Sequence, residues 1–324
     1  MVSLKCRLFL ILVGMVCIMI WIFMLKEKDV LHANSSDGAL RVLTSKQVEE
    51  KRYGQLLLYN RVPKTGSTSF MNVVYKLTLD NHFSAAYVNV SSKSHRWLFS
   101  DKYFFAKNIT YWKARQPGIF HGHFPFVSFI PMGFPQPLYI NIVRDPLERL
   151  VSHYYFLRYG DTYLPNKIRK KQGDKTTFDE CVIKKQSDCN PEKLWIQIPY
   201  FCGSDPDCWK PGNKAALHRA KRNVINYYFL VGTTDRIGDF VDVLEKTLPR
   251  FFSGASSIFN TDGGLHIRKT KKKVPLEEST IQHFKSNPIW KMEQDFYLFI
   301  KDRFNNIYKD MKRPRSVDYI KVLP

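Results

Sequence analysis

Leu56-Leu57-Leu58-Tyr59-Asn60-Arg61-Val62-Pro63-Lys64-Thr65-Gly66-Ser67-Thr68-Ser69 is the stretch on which the fold turns. Residues 56–59 are a short apolar run without alternation, the pattern of a strand buried on both faces of a parallel sheet. Residues 63–68 form a loop, and in residues 69–79 Phe70, Val73, Val74 and Leu77 recur at helical spacing on one face. Strand, loop and helix in that order place backbone N–H groups, hydroxyls and the Lys64 ammonium at a helix N-terminus. There, unpaired donors and the positive end of the helix dipole suit a phosphate. This is not a Walker A loop, which needs G-x-x-x-x-G-K-[ST]; here the lysine precedes the glycine and the first glycine is missing. An ordinary helix cap with an incidental lysine is the alternative.

The same alternation continues down the chain. Residues 87–90 read as a second strand, Gly118-Ile119-Phe120-His121-Gly122-His123 ends a third, and residues 138–143 are a buried fourth. The fourth runs into Arg144-Asp145-Pro146 and a helix reaching Tyr159. A strand at residues 228–232, a helix over residues 235–248 and helical character over residues 276–310 follow. This order predicts an α/β fold with a mainly parallel central sheet flanked by helices. Ligands of such sheets bind at the carboxyl ends of the strands. Lys64, His123 and Arg144 each follow a predicted strand directly, so one crevice is expected to hold all three. Arg144 and Ser152 suit a second phosphate; a capped helix with Arg144 paired to Glu148 is the alternative. His121 and His123, two apart on a strand, point the same way and read as a packed edge or as a metal pair. No third ligand accompanies them, so no metal is expected.

The chain has 324 residues, 44% hydrophobic and 24% charged, which excludes disordered and low-complexity classes. Lys+Arg 50 against Asp+Glu 29 gives +21, and so large an excess predicts a polyanionic partner: nucleic acid, anionic membrane or acidic polysaccharide. Residues 8–25 are an apolar run without a charge, about the minimum for a membrane span, preceded by Lys5 and Arg7. The positive-inside rule then gives a cytoplasmic tail at residues 1–7, a signal anchor at 8–25, a stem at 26–53 and a lumenal domain at 54–324. A cleaved signal peptide is the rival, with a poor cleavage site at Met24-Leu25-Lys26. Sequons at Asn34, Asn89 and Asn108 agree with secretory entry. So do Cys181, Cys189, Cys202 and Cys208, an even number within a short segment. Three pairings are open, and the short local loops favour Cys181–Cys189 with Cys202–Cys208; a zinc site lacks any C-x2-C spacing. A lumenal address removes nucleic acid as the partner and points to an acidic glycan.

Pro63-Lys64-Thr65-Gly66-Ser67-Thr68 resembles the 5′-phosphosulfate loop of sulfotransferases that use 3′-phosphoadenosine 5′-phosphosulfate (PAPS). Arg144-Asp145-Pro146-Leu147-Glu148-Arg149-Leu150-Val151-Ser152 resembles their 3′-phosphate element. Tyr59-Asn60-Arg61-Val62-Pro63-Lys64-Thr65, Phe120-His121-Gly122-His123, Tyr139-Ile140-Asn141 and Tyr154-Tyr155-Phe156-Leu157-Arg158 narrow the resemblance. So do Lys171-Gln172-Gly173-Asp174-Lys175, Pro191-Glu192-Lys193-Leu194-Trp195 and the four cysteines. Over residues 55–310 the chain is similar to the heparan sulfate 2-O-sulfotransferase family.

The resemblance implies a Golgi type II membrane enzyme, homotrimeric. It would move sulfate from PAPS to the 2-hydroxyl of a hexuronic acid, mainly iduronate, in heparan sulfate. It places Lys64 against the phosphosulfate, with donors from Thr65, Gly66, Ser67 and Thr68, and Arg144 and Ser152 on the 3′-phosphate. His123 matches the base, with His121 beside it. Arg61, Tyr75, Arg169 and Arg268 match residues around the acceptor glycan, and the run Arg268-Lys269-Thr270-Lys271-Lys272-Lys273 matches a loop that closes over the nucleotide. Leu164 stands where the family carries an arginine, residues 124–137 diverge after the base, and residues 313–324 are unlike the family's tail. These departures touch the acceptor side and leave other readings open: a dermatan, chondroitin or other glycan acceptor, or a heparin-binding lectin without turnover. A kinase-like phosphotransferase would need ATP and Mg²⁺, and no acidic metal motif follows the predicted strands.

Overall fold

A computed structural model of the chain describes residues 56–90, 96–261 and 270–313. The predicted tail, anchor and stem, Asn34 and Arg268 lie outside the described residues.

Five parallel strands form the centre, in the order β2-β3-β1-β4-β5. They are β1 (Leu56–Asn60), β2 (Ser84–Tyr87), β3 (Gly118–Gly122), β4 (Leu138–Val143) and β5 (Tyr228–Thr233). The helices are α1 (Ser67–Leu77), α2 (Phe99–Tyr111), α3 (Pro146–Tyr159), α4 (Phe178–Ile183), α5 (Gln197–Cys202), α6 (Lys214–Tyr227), α7 (Ile237–Thr247), α8 (Pro249–Phe252), α9 (Ala255–Thr261), α10 (Glu278–Ser286) and α11 (Pro288–Lys312). β3, β4 and β5 are buried along their whole length, which is why β4 and β5 read as largely apolar runs. The edge strand β2 is only half-buried, and it lies N-terminal to the expected 87–90. Its ladder extends one residue further through Val88 N–H to the His121 carbonyl, 2.8 Å. β3 ends at Gly122, so His123 stands just past the strand.

The expected helix over 276–310 is two helices. Asn287 caps α11 by accepting from the Ile289 N–H, and Pro288 takes the first helical position, where its lost donor costs nothing. α2 and α6 have no counterpart among the sequence-based expectations. α2 buries only Ala106 and Ile109, and its apolar residues Phe99, Phe104 and Tyr111 face outward, so its pattern carries no clean stripe. α6 is capped by Asn213, which accepts from the Ala215 and Ala216 N–H groups.

Polar groups pin the carboxyl edge of the sheet. Asn141 Nδ2 donates to the Asn60 carbonyl at 2.7 Å and to Asn60 Oδ1 at 2.9 Å, and the Tyr228 hydroxyl donates to Asn60 Oδ1 at 3.0 Å. Asn60 Nδ2 in turn donates to the Tyr200 carbonyl, 3.0 Å. Every donor here is buried and satisfied, so the network ties the end of β1 to the middle of β4 and the start of β5. Behind α3, Arg158 anchors the segment around residues 174–189, alongside the Lys171–Asp188 pair and the Tyr154 hydroxyl, which donates to the Thr176 and Thr177 carbonyls. Arg158 is 1% exposed, pairs with Asp174 at 2.7 Å and Asp188 at 3.0 Å, and stacks on the Tyr154 ring at 3.5 Å. The structure pairs Cys181 with Cys189 and Cys202 with Cys208.

Arg158→Ala should therefore lower unfolding free energy by roughly 3 kcal/mol, the low end for a broken buried pair because both carboxylates keep some water. Urea denaturation reads this directly; a change below about 1 kcal/mol, the scale of a surface pair, would show that the pairing is solvent-screened.

Candidate active site

The chain leaving β1 reverses at two left-handed residues, Lys64 (φ +70°) and Gly66 (φ +77°). At Gly66 a side chain is excluded twice: by the φ, and because a Cβ would approach Ile237 Cδ1 to 2.7 Å. At Lys64 the same φ is strained for an L-residue, a cost of about 1–3 kcal/mol that surrounding structure must hold in place. Lys64 Nζ donates to Thr270 Oγ1 at 3.2 Å and lies 4.1 Å from the Phe156 ring centre. No side chain caps α1 at Gly66, and a helix N-terminus of this kind suits an anion. The Thr65 side chain is buried and its hydroxyl donates to the Val62 carbonyl at 2.9 Å, so the side chain braces the loop and the main-chain N–H is what Thr65 has left to offer a ligand.

The two histidines part company. His121 is buried inside β3, whereas His123 is exposed beyond the strand end. Arg61 Nη1 lies 3.2 Å from His121 Nδ1, and because a guanidinium only donates, Nδ1 carries the lone pair. His121 Nε2–H then donates to the Tyr75 hydroxyl, 2.7 Å away. Burial first, then Arg61 and His123, push the His121 pKa from 6.5 to about 3, so this ring is neutral at every physiological pH. Arg61 Nη2 also donates to Ser67 Oγ, 3.1 Å. His123 has the opposite tautomer. Its Nδ1 is 2.8 Å from the Arg61 carbonyl, which only accepts, so Nδ1 holds the proton and Nε2 the lone pair.

At the second loop Arg144 follows β4. Its Nε and Nη2 donate to Glu148 Oε2 at 3.3 and 3.0 Å, the pairing read from the sequence as an alternative. Asp145 caps α3 by accepting from the Glu148 N–H, with Pro146 behind it. One turn along α3, the Ser152 hydroxyl lies 3.3 Å from Thr270 Oγ1, so Thr270 bridges the two loops.

These elements enclose a cleft of about 570 Å³ at the carboxyl edge of the sheet. Arg61, Lys64, Gly66, Ser67, Thr68, His123, Arg144 and Ser152 all line it. His121 and Thr65 do not. Of the other acceptor candidates, Tyr75 lies on the exposed side of α1, joined to the cleft through His121 and Arg61. Arg169 Nη2 donates to the Leu164 carbonyl at 3.0 Å and faces Asp161 Oδ1 at 3.5 Å, with its guanidinium 4.6 Å from the Phe156 ring. Phe156 thus links Arg169 to Lys64 without Arg169 lining the cleft. The exposed Asn89 and Asn108 lie away from the cleft lining. Among the described residues no group of three His, Cys, Asp or Glu is placed to hold a metal ion.

His153, Phe156, Thr234, Thr270 and Lys273 also line the cleft, and sequence reasoning singled out none of them individually. Thr234 follows β5 directly, so the rule that pointed to Lys64, His123 and Arg144 applied to it as well. Phe156 lies four residues beyond Ser152 on the same helix face. Burial and neighbouring cations both act on the two titratable groups among them, His153 and Lys273. Burial, then Arg149 and Lys64, lower the His153 pKa to about 4, and burial followed by Arg144 lowers that of Lys273.

A parallel sheet whose first loop offers a lysine and hydroxyls at a helix N-terminus, beside a second cationic loop, is the architecture of a transferase that handles phosphate or sulfate groups. Residues 51–300 match the sulfotransferase family, and the chain belongs to it. It is 46% identical over 260 residues to a heparin sulfate O-sulfotransferase of Drosophila melanogaster, covering 80% of this chain and 74% of that one. It is 49% identical over 251 residues to heparan sulfate 2-O-sulfotransferase 1 of Gallus gallus, covering 77% and 70%. Against the protein of that name from Homo sapiens it is 44% identical over 293 residues, covering 90% and 81%.

The depressed His121 pKa has a measurable consequence. Between about pH 6.5 and pH 3 the unfolded chain binds a proton that the folded ring refuses, so stability falls as pH drops through that window. Thermal unfolding of wild type should lose stability more steeply below pH 6.5 than a His121→Gln variant; equal slopes would mean that the ring protonates in the folded state.

Proposed function

We propose that this protein transfers sulfate from PAPS to the 2-hydroxyl of a hexuronic acid, mainly iduronate, in heparan sulfate. The reading rests on the names of its relatives and, above all, on one observation: Lys64, Arg144 and His123 face a single cleft. PAPS carries a 3′-phosphate and a 5′-phosphosulfate at two separate places and so needs two anion-gripping turns. The Lys64 loop with the start of α1, and Arg144 with Ser152, fit that demand, and the cleft holds cations and hydroxyls at both. No metal is called for. The predicted anchor, the sequons and the disulfides support a type II membrane protein with its catalytic domain in the Golgi lumen. The resemblance supports a homotrimer.

PAPS supplies the sulfuryl group; the chain's own residues bind, orient and move a proton. The Lys64 ammonium and Ser67 and Thr68 bind the phosphosulfate end, and the ammonium offsets charge gathering on the departing phosphate oxygen. His123 Nε2 takes the proton of the acceptor hydroxyl as that oxygen attacks in line. The Nδ1–H bond to the Arg61 carbonyl keeps the lone pair on Nε2 and strengthens once the ring becomes cationic. Arg61, aligned by the neutral His121, presents a guanidinium to the carboxylate or sulfates of the acceptor. Leu164, 44% exposed where the family carries arginine, removes one anion contact on that side and bears on which uronic acid is preferred.

The test is transfer of labelled sulfate from PAPS to O-desulfated heparin and to dermatan, with disaccharide analysis of the product. The expected label is 2-O-sulfated iduronate from the heparan-type polymer. Label confined to dermatan would move the acceptor, and heparin binding without transfer would make the protein a lectin. His123→Ala should lower kcat by about 10²–10⁴-fold while leaving the affinity for adenosine 3′,5′-bisphosphate within about twofold. Loss of both would mark a structural histidine. Lys64→Ala should weaken nucleotide binding and turnover together; unchanged affinity would remove the lysine from the nucleotide end.

A further inference from the structure

Arg144 is aimed from behind. Its own ion pair is a weak guide: Glu148 is 60% exposed, and such an i,i+4 pair contributes no more than about 0.5 kcal/mol. The main chain of Arg144 is held far more tightly. Gln197 Oε1 accepts from the Arg144 N–H at 2.9 Å, and Gln197 Nε2 donates to the Arg144 carbonyl at 2.9 Å. The amide thus pairs with both the N–H and the C=O of one residue, as a neighbouring strand would, just past the end of β4. Gln197 is fully buried, at 0% exposure. It is fixed in turn by Glu293 of α11, also 0% exposed. Glu293 Oε1 accepts from the Ile196 and Ile198 N–H groups at 3.0 and 3.1 Å, and Oε2 faces Gln197 Nε2 at 3.4 Å. Burial raises the Glu293 pKa to about 7, offset only in part by the Ile198 N–H and by the charge of Arg149, itself buried and donating to the Lys193 carbonyl at 2.8 Å.

A carboxylate in so enclosed a place is costly, and replacing it with an apolar side chain would often stabilise a fold. Here it orients the one side chain that grips the peptide carrying Arg144. We infer that Gln197 and Glu293 are positioning residues for the 3′-phosphate subsite, acting through the main chain of Arg144. The inference rests on the proposed role of Arg144 in binding that phosphate.

The experiment compares the affinities of the full chain for adenosine 3′,5′-bisphosphate and adenosine 5′-monophosphate by calorimetry. The ratio reports the 3′-phosphate alone. Arg144→Ala should abolish most of the preference for the bisphosphate. Gln197→Ala should cut the ratio by at least about fivefold, with monophosphate affinity held within about twofold and no further loss when combined with Arg144→Ala. Glu293→Gln keeps the shape and the two main-chain acceptors but turns an NH₂ toward Gln197 Nε2; it should lower the ratio in the same direction. A ratio unchanged in both variants, or equal losses for both nucleotides, would make the pair purely structural and overturn the inference, as would failure of both to fold. If Arg144→Ala itself leaves the ratio untouched, the assignment of Arg144 falls and the inference goes with it.

Discussion

Four cations, Arg61, Lys64, Arg144 and Lys273, face one cleft, and their mutual repulsion is the constraint around which the site is built. Like charges so placed raise the free energy of the empty pocket, and a ligand with two anionic groups relieves it. Arg61 leans on the lone pair of a neutral imidazole and on Ser67. Lys64 rests on Thr270 and the face of Phe156. Arg144 shares an exposed glutamate, and its main chain is gripped by a buried amide. Hydroxyls, a ring, a buried amide and one exposed glutamate orient these groups toward the cleft.

The division between His121 and His123 follows from one strand ending at Gly122. A residue inside the strand is enclosed by Tyr75 and Arg61, and a residue one step past the end is not. Two rings of the same type therefore carry opposite tautomers. The buried one is an acceptor for Arg61, the exposed one a donor to the carbonyl of that same residue. Arg61 is the hinge between them, through its side chain on one side and its main chain on the other.

Much of this was legible before any coordinates. The largely apolar runs of β1, β4 and β5, alternating with helical spacing, disclosed the parallel sheet, and the rule of carboxyl ends brought Lys64, His123 and Arg144 together. Less was visible where partners come from far along the chain. Thr270 meets Lys64 across 206 residues, and Gln197 meets Glu293 across 96; periodicity has no access to such pairs. The bond from the Thr65 hydroxyl to the Val62 carbonyl is equally invisible to periodicity. The aromatic exterior of α2 hid a helix for a different reason, since its apolar residues point outward.

The most direct measurement is a crystal structure of the protein with adenosine 3′,5′-bisphosphate and a heparan tetrasaccharide. The account predicts the 5′-phosphate at Lys64 and the start of α1, the 3′-phosphate at Arg144 and Ser152, and a uronic acid 2-hydroxyl within hydrogen-bond reach of His123 Nε2. A nucleotide lodged away from both loops, or an acceptor hydroxyl that approaches no nitrogen of His123, would contradict it.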